Sequence, residues 1–404
     1  MQKTTRLKAA FISFSSLGIK LLFPLFLSYF GSDKDFSLLL VTANTLLLSG
    51  MFFSLEHHTY YHRKAVQENN IKKIDFYERT YFDQTLLIKI IYLLLILLLL
   101  NQFSLYQRIL IFFIVYLDLH IVEICRKNEV MGNYLKNTTI WGARMSLPLM
   151  LFIGYSSFIK EISLNTLFIS TLISGVVIKY LFKIRICNPR NLRFRKNLFL
   201  KLTIKTRQFA LITILGLFTP LIDKFVLLNF EEYSMIQTIS LWSIFGNLIS
   251  LFILEFINKP YKPKIMNFLN QKDFNKIFKY IIFYQVIIMT CSFIFIFLFR
   301  SPLDYFLKPS FNFNLFQIVG CTLIAASIPL TTLFNTTLYG YKRDNNILFF
   351  AIFEFLLKYL VTIITIIFLK SFLLPYTLSL ATGITLSTKY FYIKRVILRN
   401  KKII

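Results

Sequence analysis

The sequence predicts an all-α, polytopic membrane protein of about twelve transmembrane helices in two six-helix bundles. Three observations carry this. Hydrophobic residues make up 56 % of the 404 and charged residues only 16 %, with mean hydropathy +0.62, where soluble domains sit nearer half apolar and about a quarter charged. Apolar runs of about 20 residues recur from end to end, each long enough for a hydrocarbon core of ~30 Å. The basic residues are also segregated: 33 of the 46 Lys and Arg fall in alternate loops and the termini, 6 in the opposite loops and 7 inside spans. That asymmetry marks the basic side as the cytoplasmic one and places both termini there. A β-barrel would instead show short alternating segments.

The expected spans are 7–30, 36–55, 85–103, 108–125, 138–157, 164–182, 208–228, 233–257, 280–300, 313–334, 347–369 and 372–392. The basic N-terminus followed by a long apolar run, with no small-residue cleavage site, reads as the first span and not as a cleaved leader. External connections are short, the longest being about a dozen residues near Ser301–Asn312. Internal ones are longer and basic. The central one, 183–207, carries nine Lys or Arg and no acid, so it reads as a cytoplasmic connector between residues 1–182 and 208–404, each half a six-helix bundle. The halves share a rhythm: two closely spaced spans, a basic loop of about 25 residues, then four spans in quick succession. An even number of spans per half implies a parallel repeat about an axis along the membrane normal.

The net charge of +27 excludes little by itself. Its confinement to one set of loops argues against a nucleic-acid partner. Cys125, Cys187, Cys291 and Cys321 are scattered, so neither a disulfide framework nor a zinc site is expected. His57, His58 and His62 follow span two, where a solvated loop is the simpler reading than a metal site. There is no P-loop, no Gly-x-Ser-x-Gly and no His-Glu-x-x-His. No soluble segment is large enough to carry enzymatic chemistry, and no cofactor or metal is expected.

The chemistry is expected inside the spans. Polar residues recur at helical spacing, as in Ser13, Ser16, Lys20; Thr42, Thr45, Ser49; Tyr116, His120, Glu123; Ser240, Ser243, Asn247, Ser250; and Thr382, Thr385, Lys389, which puts each set on one helix face. Such stripes serve as glue between helices or as the lining of a wet cavity. Charges within a span cost ~2.5 kcal/mol upward at the bilayer centre and face a partner or water. Lys89, Lys179 and Lys389 lie near span ends and can reach the headgroups. Lys20, Arg144 and Lys358 lie deeper. Arg144 and Lys358 occupy equivalent spans under the repeat, as do Lys20 and Lys224. Two symmetry-related cation pairs on a common cleft would suit an anionic substrate, and the Arg fork fits phosphate oxygens. Asp118, Asp223 and Glu354 are the candidate ion-coupling acids. Glu354 and Lys358, at i and i+4, also suit a local ion pair. Pro24, Pro148, Pro220 and Pro329 fall within spans, where they allow kinks.

Local motifs now add a family. Pro220-Leu-Ile-Asp223-Lys224 with the following NFEEYSMIQTISLW (229–242), LYGYKRDNN (338–346) and YHRKAV (61–66) resemble the Wzx-type O-antigen and polysaccharide flippases of the multidrug/oligosaccharidyl-lipid/polysaccharide (MOP) exporter superfamily. Glu232-Tyr233 stands where that family has Gly-Tyr. The resemblance spans the whole chain in length and topology and implies a MATE/MOP-like fold. It implies movement of an undecaprenyl-diphosphate-linked oligosaccharide (an O-antigen or capsule repeat unit) across the bacterial cytoplasmic (inner) membrane by alternating access. A coupling proton or cation and membrane lipids would be its other partners, with no bond made or broken. The rivals are a drug or cation antiporter of the same superfamily, a major-facilitator transporter, and a polysaccharide polymerase or glycosyltransferase. Acidic cavity residues would favour the first, a Gly-rich basic loop after span two the second, and a large external loop the third.

Overall fold

The structure is a computed structural model that describes residues 3–58, 81–99, 102–131, 133–185, 195–240, 344–369 and 373–401, with single positions between them. Every regular element among the described residues is helical: α1 (Lys3–Phe30), α2 (Asp33–Ser54), α3 (Asp83–Leu99), α4 (Leu105–Val130), α5 (Tyr134–Ile159), α6 (Leu164–Leu181), α7 (Lys196–Phe218), α8 (Ile222–Asn229), α9 (Asp344–Phe368) and α10 (Leu374–Lys401). Residues 233–240 are helical as well. All but a few single positions of the expected spans 280–300 and 313–334, and most of 233–257, lie outside the described residues, as do His62, Ser243, Asn247, Ser250 and Pro329. Four described helices are long and apolar enough to cross a bilayer, or five if α7 and α8 form one broken span. α3 has 17 residues, and α4 carries Asp118, His120, Glu123, Arg126 and Lys127 along its length.

Local chemistry sets the helix ends. Ser32 caps α2 by accepting the Asp35 N–H at 3.2 Å, and Asp33 and Asp35 lie in the positive first turn. Ser163 caps α6 by accepting the Thr166 N–H at 3.3 Å. Lys160 closes α5 in a left-handed conformation at φ 60°.

The chain divides into two compact units, Met1–Leu217 and Phe218–Ile404. In the first, α1 packs on α5, α2 on α4, and α6 on both α4 and α5. Its core holds Phe23, Leu27, Phe36, Leu86, Leu119, Phe152 and Phe168, all fully buried. In the second, α8 packs on α9 and α9 on α10, and Leu227, Met235, Ile236, Ile239, Leu374 and Leu378 form one cluster. Outward faces are apolar. Phe349, Leu356, Leu360, Ile364 and Ile367 line the exposed side of α9, as a lipid-facing helix requires.

α7 departs from the expected span. It begins at Lys196, inside the basic stretch 183–207, and the helix breaks at residues 219–221. Pro220 accounts for the break, because its ring removes an N–H and clashes with the preceding turn.

Candidate functional site

The first unit holds a charge cluster in its core. Asp118 stands mid-way along α4. Its Oδ2 accepts the backbone N–H of Gly50 at 2.7 Å and Arg144 Nη2 at 2.7 Å, and its Oδ1 accepts Arg144 Nε. Nη2 also donates to the Leu47 carbonyl. The guanidinium lies 4.7 Å from the Trp141 ring centroid, a cation–π distance. Asp118 and Arg144 are both buried. The approach of α2 to α4 depends on Gly50, since a Cβ there would overlap the Asp118 carboxylate and come within 2.9 Å of the Asp118 backbone carbon. Beside the pair is a cavity of about 20 Å³ between Leu47, Ile114, Thr171 and Ser174, room for one water and far too small for a diphosphate.

Lys20, half-buried on α1, lies within electrostatic reach of Arg144. α1 is tied to α5 there by the hydroxyl of Ser16, which donates to the Gly142 carbonyl at 3.1 Å. Counted together, Lys20 and Arg144 exceed Asp118 by one positive charge.

The second unit holds the other cluster. Glu354 on α9 accepts Lys358 Nζ on Oε1 and Lys389 Nζ on Oε2, each at 3.0 Å. The local i, i+4 pair is therefore present, and α10 adds a second cation. Lys389 is 1 % exposed, so it does not reach the headgroups as its position near a span end suggests. Lys89, 2 % exposed on α3, does not either. Asp223 and Lys224 are buried on α8, and Asp223 lies within electrostatic reach of Lys358. Thr362 and Thr365 on α9 and Thr382 and Thr385 on α10 are buried as well. The cluster's three lysines again exceed its two carboxylates by one.

The structure thus groups Lys20, Asp118 and Arg144 in one unit and Asp223, Lys224, Glu354 and Lys358 in the other. Sequence reasoning missed two partners. Lys389 was visible in the Thr382–Thr385–Lys389 face, and Gly50 follows directly on the Thr42–Thr45–Ser49 face. It also misplaced His57 and His58, which are 2 % and 5 % exposed rather than solvated. Among the described residues no three His, Cys, Asp or Glu are arranged to hold a metal ion.

No model of a known protein family matches the sequence, and no curated protein matches it either. Solved structures do resemble it along almost its full length. An inward-facing multidrug resistance MATE family transporter of the MOP superfamily aligns over 97 % of this chain and 99 % of its own, at 11 % identity and TM-score 0.61. An outward-facing multidrug resistance MATE transporter aligns over 98 % and 96 %, at 10 % identity and TM-score 0.58. The lipid II flippase MurJ, in an inward closed conformation, aligns over 96 % of this chain and 87 % of its own, at 14 % identity and TM-score 0.57. The chain has the all-α, polytopic fold of the MOP-superfamily transporters.

Proposed function

We propose that the protein is a flippase for a lipid-diphosphate-linked oligosaccharide, an O-antigen or capsule repeat unit on undecaprenyl diphosphate. It would act in the bacterial cytoplasmic membrane, with twelve spans, residues 1–182 and 208–404 as the repeated halves and both termini cytoplasmic. Lys20, Arg144, Lys224 and Lys358 are its substrate-attracting cations, and Asp118, Asp223 and Glu354 are the acids open to ion coupling. The observation that carries this reading is the charge balance. Each unit holds a cluster with one more cation than carboxylate, its members buried except for the half-buried Lys20, on a fold shared with a lipid II flippase. An uncompensated cation inside a low-dielectric bundle attracts an anion strongly, and a diphosphate supplies the countercharge. Arg144 is already committed to Asp118 and Leu47, so it sets the local field, whereas Lys20 and Lys224 have no ion pair among the described residues. A drug-cation antiporter would need uncompensated acids, and here each of the three acids has a cation beside it.

The test is binding of undecaprenyl diphosphate to the detergent-purified protein. Lys20→Ala and Lys224→Ala should each weaken it roughly tenfold or more, the scale of a charged hydrogen bond. In cells the same variants should lose surface glycan at unchanged protein level. Wild-type binding of an organic drug cation in preference to the diphosphate lipid would overturn the reading.

A further inference from the structure

Just beyond α2 the chain makes a turn. Leu55 and Glu56 adopt φ of 50° and 54°, a left-handed conformation unusual for residues with a Cβ. α7 holds this turn along one of its faces. The hydroxyl of Thr206 donates to the Leu55 carbonyl at 3.1 Å. The hydroxyl of Thr213 donates to Glu56 Oε1 at 3.0 Å. His57 Nε2 meets the Thr203 hydroxyl at 3.1 Å, and its ring stands edge-on to Phe199 with centroids 5.2 Å apart. Positions 199, 203, 206 and 213 fall on one side of a helix. The N-terminal part of α7 is therefore seated on the exit of α2 by side chains from a short, strained corner.

That corner is rich in titratable groups. His58 Nε2 lies 3.1 Å from Glu56 Oε2, and Arg126 of α4 approaches Glu56 Oε1 at 3.8 Å. Glu123 of α4 also interacts with Glu56, Arg126 and Lys127. Lys89 of α3 acts on both histidines. α7 presents Phe199 and Thr203. The two histidines differ in what a proton would do. On His58 it would strengthen a contact with a carboxylate. His57 has Nε2 engaged by Thr203 and a buried Nδ1 with no hydrogen-bond partner among the described residues. A second proton there would put a charged donor where none of the described residues offers an acceptor, in the field of Lys89. Burial first, then Lys89 and His58, hold the His57 ring well below its ordinary value of 6.5.

We propose that this corner is a proton-operated latch: neutral His57 seats α7 on the end of α2, and a proton taken at His57 Nδ1 unseats it. Because docking lowers the affinity of His57 for protons, the docked state is fully favoured above about pH 6.5 and loses ground as pH falls through that value. That the proton arrives from the cytoplasm rests on the topology proposed above; the latch itself does not. Unseating α7 would free the strained Leu55–Glu56 turn to relax, which makes the corner a hinge between a docked and an undocked arrangement of α7.

Hydrogen exchange on the full-length protein in detergent tests it, comparing about pH 7.5 with about pH 5.5 after correction for intrinsic rates. Backbone protection over 196–213 should fall by roughly tenfold or more at the lower pH, one pKa unit being a tenfold change, while α9 serves as the unchanged reference. In His57→Gln, which keeps a polar group opposite Thr203 and cannot charge, the difference should vanish. Equal wild-type protection at both pH values overturns the latch, and so does a pH response that survives in His57→Gln. If His57→Gln does not fold, the wild-type comparison still decides. A protein that binds diphosphate lipid normally but shows no pH response loses the latch and keeps the functional reading.

Discussion

Arg144 grips both carboxylate oxygens of Asp118, and the same carboxylate accepts the backbone N–H of Gly50, so one buried ion pair fastens α5, α4 and α2 together. Removing one partner of a buried pair leaves an uncompensated charge and costs about 3–5 kcal/mol, whereas replacing both with apolar residues of similar size is often close to neutral. Asp118→Asn or Arg144→Met alone should therefore lower the thermal midpoint sharply. Asp118→Leu combined with Arg144→Met should recover most of the loss. Thermal unfolding in detergent measures this, and a double variant as unstable as the sum of the singles would contradict it.

Gly50 gives a more local prediction. A Cβ at this position overlaps the Asp118 carboxylate, so Gly50→Ala must push α2 away from α4 or displace the carboxylate from Arg144. Overpacking of this kind costs about 1–3 kcal/mol. Gly154 and Gly383 have nothing within 4 Å of an added Cβ, so Gly154→Ala and Gly383→Ala should be neutral or slightly stabilising through their better helix propensity. Parallel midpoints for all three variants would show that space beside Asp118 is not limiting.

The helices were largely legible in the sequence and the pairing of their charges was not. Apolar runs announce spans because only a helix satisfies its own backbone in lipid, and α1 to α6, α9 and α10 lie where such runs predict them. The start of α7 was hidden because Lys201, Lys205 and Arg207 alternate with apolar residues, and the resulting positive charge reads as a loop. The face that shows a helix there, Thr203, Thr206 and Thr213, gains its meaning only from Leu55, Glu56 and His57, about 150 residues earlier in the chain. Lys389 and Lys89 were read as reaching for headgroups, a sound expectation for a span end open to lipid. Neighbouring helices cover both. Which acid a buried lysine meets is a fact of tertiary packing, and Glu354 lies 35 residues from Lys389.

Hydroxyls in the second unit offer a paired test. Thr365 Oγ1 donates to Thr377 Oγ1 at 2.8 Å, whereas Thr382 Oγ1 is buried with no hydrogen-bond partner among the described residues. Losing a made hydrogen bond costs about 1 kcal/mol, but removing an unsatisfied buried hydroxyl removes a desolvation penalty. Thr365→Val should destabilise the protein, and Thr382→Val should leave it unchanged or raise its midpoint. A clear loss of stability in Thr382→Val would mean that a bound ion or water uses that oxygen.

Glu354 bridges Lys358 and Lys389, and this predicts an order of effects. Lys389→Met leaves Glu354 paired with Lys358 on its own helix. Lys358→Met leaves it paired with Lys389 across to α10. Either change removes one of two cations, so each should cost less than breaking an isolated buried pair. Glu354→Gln instead leaves two buried cations facing each other with no charge between them. Its cost should approach or exceed the ~3–5 kcal/mol of a broken buried pair. Adding Lys389→Met to Glu354→Gln should recover part of the loss, because it removes one of the two cations that Glu354→Gln leaves unpaired. Thermal midpoints of the four variants give the coupling directly. If Glu354→Gln is milder than both lysine substitutions, the carboxylate is not what holds α9 to α10.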